Sequence, residues 1–176
     1  MSAVSIGSKG MITDVSPSPD GKWFLVSITG KPFSYLVPYY YFPSRTEIWD
    51  LEGKMVRLML ETPLRESLPR GYDVVIPGPR GYSWRSDRPA SLMWVEALDG
   101  GDYHAKEMKY HDQVFMLEAP FTGEPAPFIA TEKRFQGITW GNDNLAILME
   151  GLSKSRVRVT STFSPASPQA TLKKLW

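Results

Sequence analysis

Short runs of apolar residues, each closed off by glycine, proline or aspartate, recur along the chain. The clearest lies within residues 78–102, GPRGYSWRSDRPASLMWVEALDGGD. Ser86-Asp87-Arg88-Pro89 is a turn there, because aspartate bonds to nearby backbone and proline fixes φ. Leu92, Met93, Trp94 and Val95 then form a run too apolar to alternate, which suits a strand over 90–97 buried on both faces. Asp99-Gly100-Gly101-Asp102 stops it with residues that accept positive φ.

The same pattern opens and closes the chain. Ser18-Pro19-Asp20-Gly21 is a tight turn between 11–15 and the β-forming run 22–28, KWFLVSI. Residues 45–51 and 55–60 flank Glu52-Gly53-Lys54 as a hairpin. Residues 61–79 form a polar connection in which only 73–76 has strand character, and 103–112 is a charged loop. Strands follow at 113–119 and from 128, and again at 135–140 and 145–150 around Gly141-Asn142-Asp143-Asn144. The stretch 156–163, RVRVTSTF, alternates as a half-buried strand does, and 171–176 barely starts another.

Asp20, Asp87 and Asp143 each precede an apolar strand, 67 and then 56 residues apart, and Trp84 and Trp140 stand before their turns at the same 56-residue interval. A repeating unit of about four strands every 40 to 60 residues or so marks a β-propeller blade. The expected fold is therefore all-β: a partial propeller of about three blade-like, antiparallel, four-stranded units, near 11–61, 74–130 and 135–176. A closed propeller has about four to eight blades, so the chain reads as part of something larger. A β-sandwich or barrel of similar strand count is the alternative.

Composition sharpens this. Fourteen glycines and fifteen prolines in 176 residues favour short strands and frequent turns over long helices. A net charge of +1 offers no field to gather nucleic acid or an anionic membrane. No run approaches a membrane span, and the N-terminal MSAVSIGSKG lacks a signal-peptide core, so a soluble chain is expected. Its compartment stays open, a periplasmic or secreted one included, had a signal been removed. With no cysteine there is no disulfide, thiolate nucleophile or cysteine-bound metal. Gly-x-Ser-x-Gly, Walker A and Gly-x-Gly-x-x-Gly are all missing.

Few candidate site residues remain. His104 and His111 are the only histidines, and their spacing in a charged loop fits solvated side chains better than metal ligands. Arg156 and Arg158 read as one solvated strand face. Residues 30–42, GKPFSYLVPYYYF, form a proline-broken aromatic loop. Its Tyr35, Tyr39, Tyr40 and Tyr41 either line a ligand surface or pack over the rim of a β structure. No cofactor is implied.

Five stretches carry a family resemblance: SPDGKWFLVS (18–27), PFSYLVP (32–38), residues 78–102, DQVFMLEAPFTGEP (112–125) and RFQGITWGND (134–143). Together the chain resembles the glutamyl endopeptidase-like branch of the prolyl oligopeptidase superfamily of serine peptidases, over about 16–163. The resemblance implies an N-terminal propeller that gates access to a C-terminal α/β-hydrolase domain and helps shape its peptide pocket. This chain matches early blades alone, and no triad position falls within it. Cleavage after glutamate implies a cationic partner, for which Arg80, Arg85 and Arg134 are candidates by placement, unless they tie turns to Asp87 or Asp143. The implied partners are the hydrolase domain, the remaining blades and a peptide substrate, with no nucleic acid and no membrane. Open blade faces would make the isolated chain self-associate. The rival readings are a stand-alone β-rich module binding peptide or glycan through the tyrosine loop and, more remotely, a hydrolase built on His104 or His111.

Overall fold

The computed structural model describes residues 10–176, so most of the N-terminal stretch read for a signal peptide lies outside the described residues. Twelve strands are defined among them. The first four are β1 (Met11–Pro17), β2 (Phe24–Thr29), β3 (Ser44–Trp49) and β4 (Met55–Thr62). Next come β5 (Arg80–Trp84), β6 (Ser91–Ala97), β7 (Asp112–Glu118) and β8 (Ala126–Thr131). The last are β9 (Arg134–Asn142), β10 (Leu145–Leu152), β11 (Val157–Phe163) and the two-residue β12 (Lys173–Lys174), preceded by the four-residue α1 (Pro168–Thr171). They form three separate four-stranded sheets, each a meander in which sequence neighbours pair antiparallel. The described residues are all-β, with almost no helix.

The three aspartate turns occupy equivalent places: 18–23, 85–90 and 143–144 each join the first and second strands of a sheet. In the first, the Ser18 hydroxyl donates to Asp20 Oδ1 at 2.6 Å, the Lys22 N–H donates to the same oxygen, and Gly21 takes φ +68°. A side chain with a Cβ resists that corner, and glycine does not.

One strand falls elsewhere than the sequence suggests. Residues 73–76 contribute only an isolated bridge, Val74 with Asp102, and the first strand of the middle sheet is β5. Arg80–Trp84 pairs with Val95–Leu92 across an irregular register, with Gly81 at φ +65°. A mixed run such as RGYSW has no alternation to announce it.

The chain divides into two compact units. The first runs to Leu68 and takes in Ala119–Thr122. Phe24, Val26 and Ile28 alternate onto one face of β2 and pack with Trp49 of β3, whose indole N–H donates to the buried Glu47 carboxylate at 2.7 Å. The second unit, Pro69–Glu118 with Gly123–Trp176, holds the other two sheets face to face. Between them Met93, Val95, Val114, Met116 and Ile129 meet Ala146, Leu148 and Phe163. Leu92 and Trp94 point the opposite way on β6 and are also buried, so the strand is covered on both faces as its unbroken apolar run requires. Burying each such side chain contributes about 1.5–3 kcal/mol.

Candidate functional site

In the first unit, the loop between β2 and β3 carries the four tyrosines. Tyr39–Tyr41 form a single 3-10 turn whose rings follow one another at 5.7 and 4.6 Å. The loop is tied down at several points. Ser34 donates its hydroxyl to Glu66 Oε1 at 2.7 Å, the Arg65 N–H donates to the Tyr41 carbonyl, and the Gly30 N–H donates to the Pro43 carbonyl. Tyr35 is nonetheless wholly exposed, Leu36 is 80% exposed, and Tyr39 and Tyr40 about two-thirds so, while Tyr41 is half-buried. None of the first three tyrosines is buried against the described residues. Their side chains stand exposed on this tied-down loop, where tyrosine offers apolar area together with a polar tip.

In the second unit, the three candidate arginines have different surroundings. Arg85 is 5% exposed and grips Asp87 with two parallel bonds, Nε to Oδ1 at 2.9 Å and Nη2 to Oδ2 at 2.7 Å. Its guanidinium carbon stands 4.1 Å from the ring centre of Trp140, a cation–π contact linking the β5–β6 turn to β9. The Arg85 bonds hold the Asp87 carboxyl below the ordinary carboxylate range, against the opposing push of burial. Arg88 reaches Asp143 at 2.8 Å, so two aspartate turns are each tied by an arginine.

Arg134 is 6% exposed and sits at the start of β9 with every nitrogen engaged. Nε donates to the Asp73 carbonyl at 2.8 Å, Nη1 to Asp112 Oδ1 at 2.8 Å, and Nη2 lies within 3.0 Å of both Asp99 oxygens. Asp112 also accepts the Phe135 N–H at 2.8 Å and Arg80 Nη2 at 2.6 Å, through Oδ2. Asp99 accepts from Gly101 N–H and lies 2.8 Å from His111 Nδ1. Burial is the largest influence on the Asp99 carboxyl and pushes it up. The bonds from His111, Arg134 and Gly101 and the Arg134 charge outweigh it, so the group stays below the usual range.

Arg80 differs from the other two. It is held through Nη2 alone, its side chain is 23% exposed, and its buried Nη1 has no hydrogen-bond partner. It lines an open groove of about 420 Å³ between β5 and β9, with Ser83, Gln136 and Gly137 among the other walls. Two guanidiniums and two carboxylates balance in this cluster, so Arg80 brings the groove no excess of charge.

The two histidines differ: His104 is exposed as expected and His111 is not. His111 is buried, not solvated: it stacks on Tyr103 with ring centres 3.9 Å apart and is locked to Asp99. His104 is partly exposed, 3.6 Å from Asp73, whose carboxylate accepts the Ser153 and Lys154 N–H groups. Among the described residues no three His, Cys, Asp or Glu side chains stand together as a metal site needs. Arg156 and Arg158 do not share a strand face, since Arg156 lies in the preceding turn at φ +56° and β11 starts at Val157.

Asp99 and Asp112 are the partners that organise this end of the unit, and sequence reasoning passed over both. Asp99 reads as a turn residue and Asp112 as a loop end, and no local signal pairs either with an arginine 35 or 22 positions away.

No family model matches the chain. It is similar to two curated plant proteins, each named "Probable glutamyl endopeptidase, chloroplastic". The one from Oryza sativa subsp. japonica is 37% identical over 162 residues, which cover 91% of this chain and 17% of the relative. The one from Arabidopsis thaliana is 37% identical over 164 residues, 92% of this chain and 17% of the relative. The chain thus spans about a sixth of the length of the relatives it matches. Among solved structures, an uncharacterized protein from Listeria monocytogenes EGD-e, lmo1340, superposes with a TM-score of 0.51 at 16% identity. That match covers 96% of this chain and 41% of the other, a likeness of fold.

Proposed function

We propose that the chain is part of the β-propeller of a glutamyl endopeptidase-like serine peptidase, a non-catalytic scaffold. In this reading its sheets are blades, and with further blades they limit access to a C-terminal α/β-hydrolase domain and help shape its peptide pocket. The observation that carries it is 37% identity sustained over 91% of this chain against only 17% of a relative named as an endopeptidase. Three successive four-stranded meanders, each opening on an aspartate turn, are the arrangement that blades require.

Within this reading the carboxylate partner falls to Arg80. Arg85 and Arg134 stay with their aspartates, whereas Arg80 is partly exposed and borders an open groove. The test joins the chain to the sequence that follows it in its gene. Peptidase activity blocked by a serine-reactive fluorophosphonate is expected in the joined protein and not in the 176-residue chain. Activity in the short chain, or none in the joined one, would overturn the proposal. Arg80→Gln in the joined protein should narrow the preference for cleavage after Glu over Gln, and an unchanged ratio removes that role.

A second reading, a stand-alone module for peptide or glycan, is favoured by Tyr35, Leu36, Tyr39 and Tyr40 standing exposed on a tied-down loop. Retention of ligand binding by the short chain, lost on Tyr35→Ala with Tyr39→Ala, would support it.

A further inference from the structure

Glu150, in the second unit, is 6% exposed and takes part in no ion pair among the described residues. Its Oε2 accepts the Lys133 N–H at 3.0 Å. Its other oxygen has no hydrogen bond among the described residues and is not sealed off from solvent, so it stays open to a donor from outside the chain. Glu150 lines a cleft of about 280 Å³ between β8 and β11. Ser161, itself 4% exposed, and Tyr110 share the wall and carry hydroxyl oxygens, while Val159 and Leu172 supply apolar surface. Gln169 of α1 closes one side, its side-chain oxygen accepting the edge N–H of Ala130 at 2.9 Å.

We propose that this cleft binds a primary alkylammonium, anchored on the Glu150 carboxylate. An ammonium presents three donors from one compact point, which suits a single free carboxylate oxygen with hydroxyl acceptors beside it. A guanidinium wants both carboxylate oxygens in a parallel pair, and Lys133 N–H already holds one of them. A calcium ion needs six or more oxygens, and no three acidic or histidine side chains cluster among the described residues. An anion would face the carboxylate. The methylenes behind an ammonium lie naturally along apolar walls such as Val159 and Leu172. Lys133 and Lys174 border the same cleft, yet neither ammonium is within ion-pairing distance of Glu150. The proposal is independent of the peptidase reading.

The test titrates the 176-residue chain with n-butylammonium and with n-butanol, following the Lys133 and Ser161 amide signals by NMR. Saturable shifts with the amine alone, weakened at least tenfold in Glu150→Gln, are expected. Leu172→Trp, which narrows the cleft while leaving the carboxylate in place, should also abolish binding and covers the case in which Glu150→Gln does not fold. Putrescine and Nα-acetyllysine methylamide then separate a free polyamine from a lysine side chain, and binding of either supports the site. No shift, equal shifts with butanol, or binding that emerges only in Lys133→Met, which would mean the site is filled by its own lysine, each overturn it.

Discussion

Replacing Arg134 by Met removes the cation around which one end of the second unit is assembled. The methionine stem still fills the space, but Asp99 and Asp112, both with side chains fully buried, lose their shared partner. Asp112 retains Arg80 and the Phe135 N–H, and Asp99 retains His111 and the Gly101 N–H. Removing one member of a buried pair costs about 3–5 kcal/mol, because a charge is left without compensation. Arg80→Met severs one partly exposed bond to the same aspartate and should cost only about 1–2 kcal/mol. Urea unfolding followed by circular dichroism measures both.

The pH dependence is a second signature of the same cluster. Asp99 titrates below its ordinary value in the folded protein, so folding gains stability from its charge above the unfolded pKa of about 4. That stability is lost as pH falls through the lower folded value, so the wild type should weaken as pH drops below about 4. The loss should be shallower in Arg134→Met, whose Asp99 is no longer held down by the guanidinium. A cost below about 1 kcal/mol for Arg134→Met, or one no larger than that of Arg80→Met, would refute the account of the cluster.

Three further outcomes follow from other parts of the molecule. Gly101 takes φ +98°, and a Cβ there would strike the Val75 carbonyl oxygen, whereas Gly100 takes φ +75° with open space around it. Gly101→Ala should therefore cost well over about 2 kcal/mol and Gly100→Ala about 1 kcal/mol, and equal losses in thermal unfolding would contradict this. Burial first, and the Glu96 carboxylate second, push the Tyr82 phenol well above its ordinary range, so Tyr82→Phe should leave the tyrosinate absorbance titration below pH 11, roughly, unchanged in amplitude. On the first sheet, Ile12 and Val15 stand about half exposed on the edge strand β1. We expect concentration-dependent self-association that Val15→Lys reduces; a wild-type monomer throughout a sedimentation series would count against it.

Most strands were legible because apolar runs and turn residues are local signals. The run 92–95 fixes β6 and its double-sided burial, and the three aspartate turns fix where each meander begins. β5 was not legible, because RGYSW carries no alternation and pairs through an irregular register. The polar cluster was hidden for a different reason. Arg134, Asp112, Asp99 and Asp73 are drawn together from four segments, and hydrogen-bond geometry at that range leaves no spacing in the chain. The tyrosine loop left two outcomes open, and its ties to Arg65 and Glu66 lie in a connector with no pattern of its own, so they were not legible either.

The two sheets of the second unit are fastened at both ends of β5 and β9. Near the start of these strands Asp112 and Arg134 join β7 to β9, and near their close Arg85 lies over Trp140. An apolar layer fills the space between. Such a pair cannot swing open like a hinge, since releasing one end leaves the other latched. Separation must break the charged latch, the aromatic latch and the apolar layer in a single event. Both sheets then share one opening free energy, and the unit behaves as a single cooperative block in which damage at either end weakens the whole.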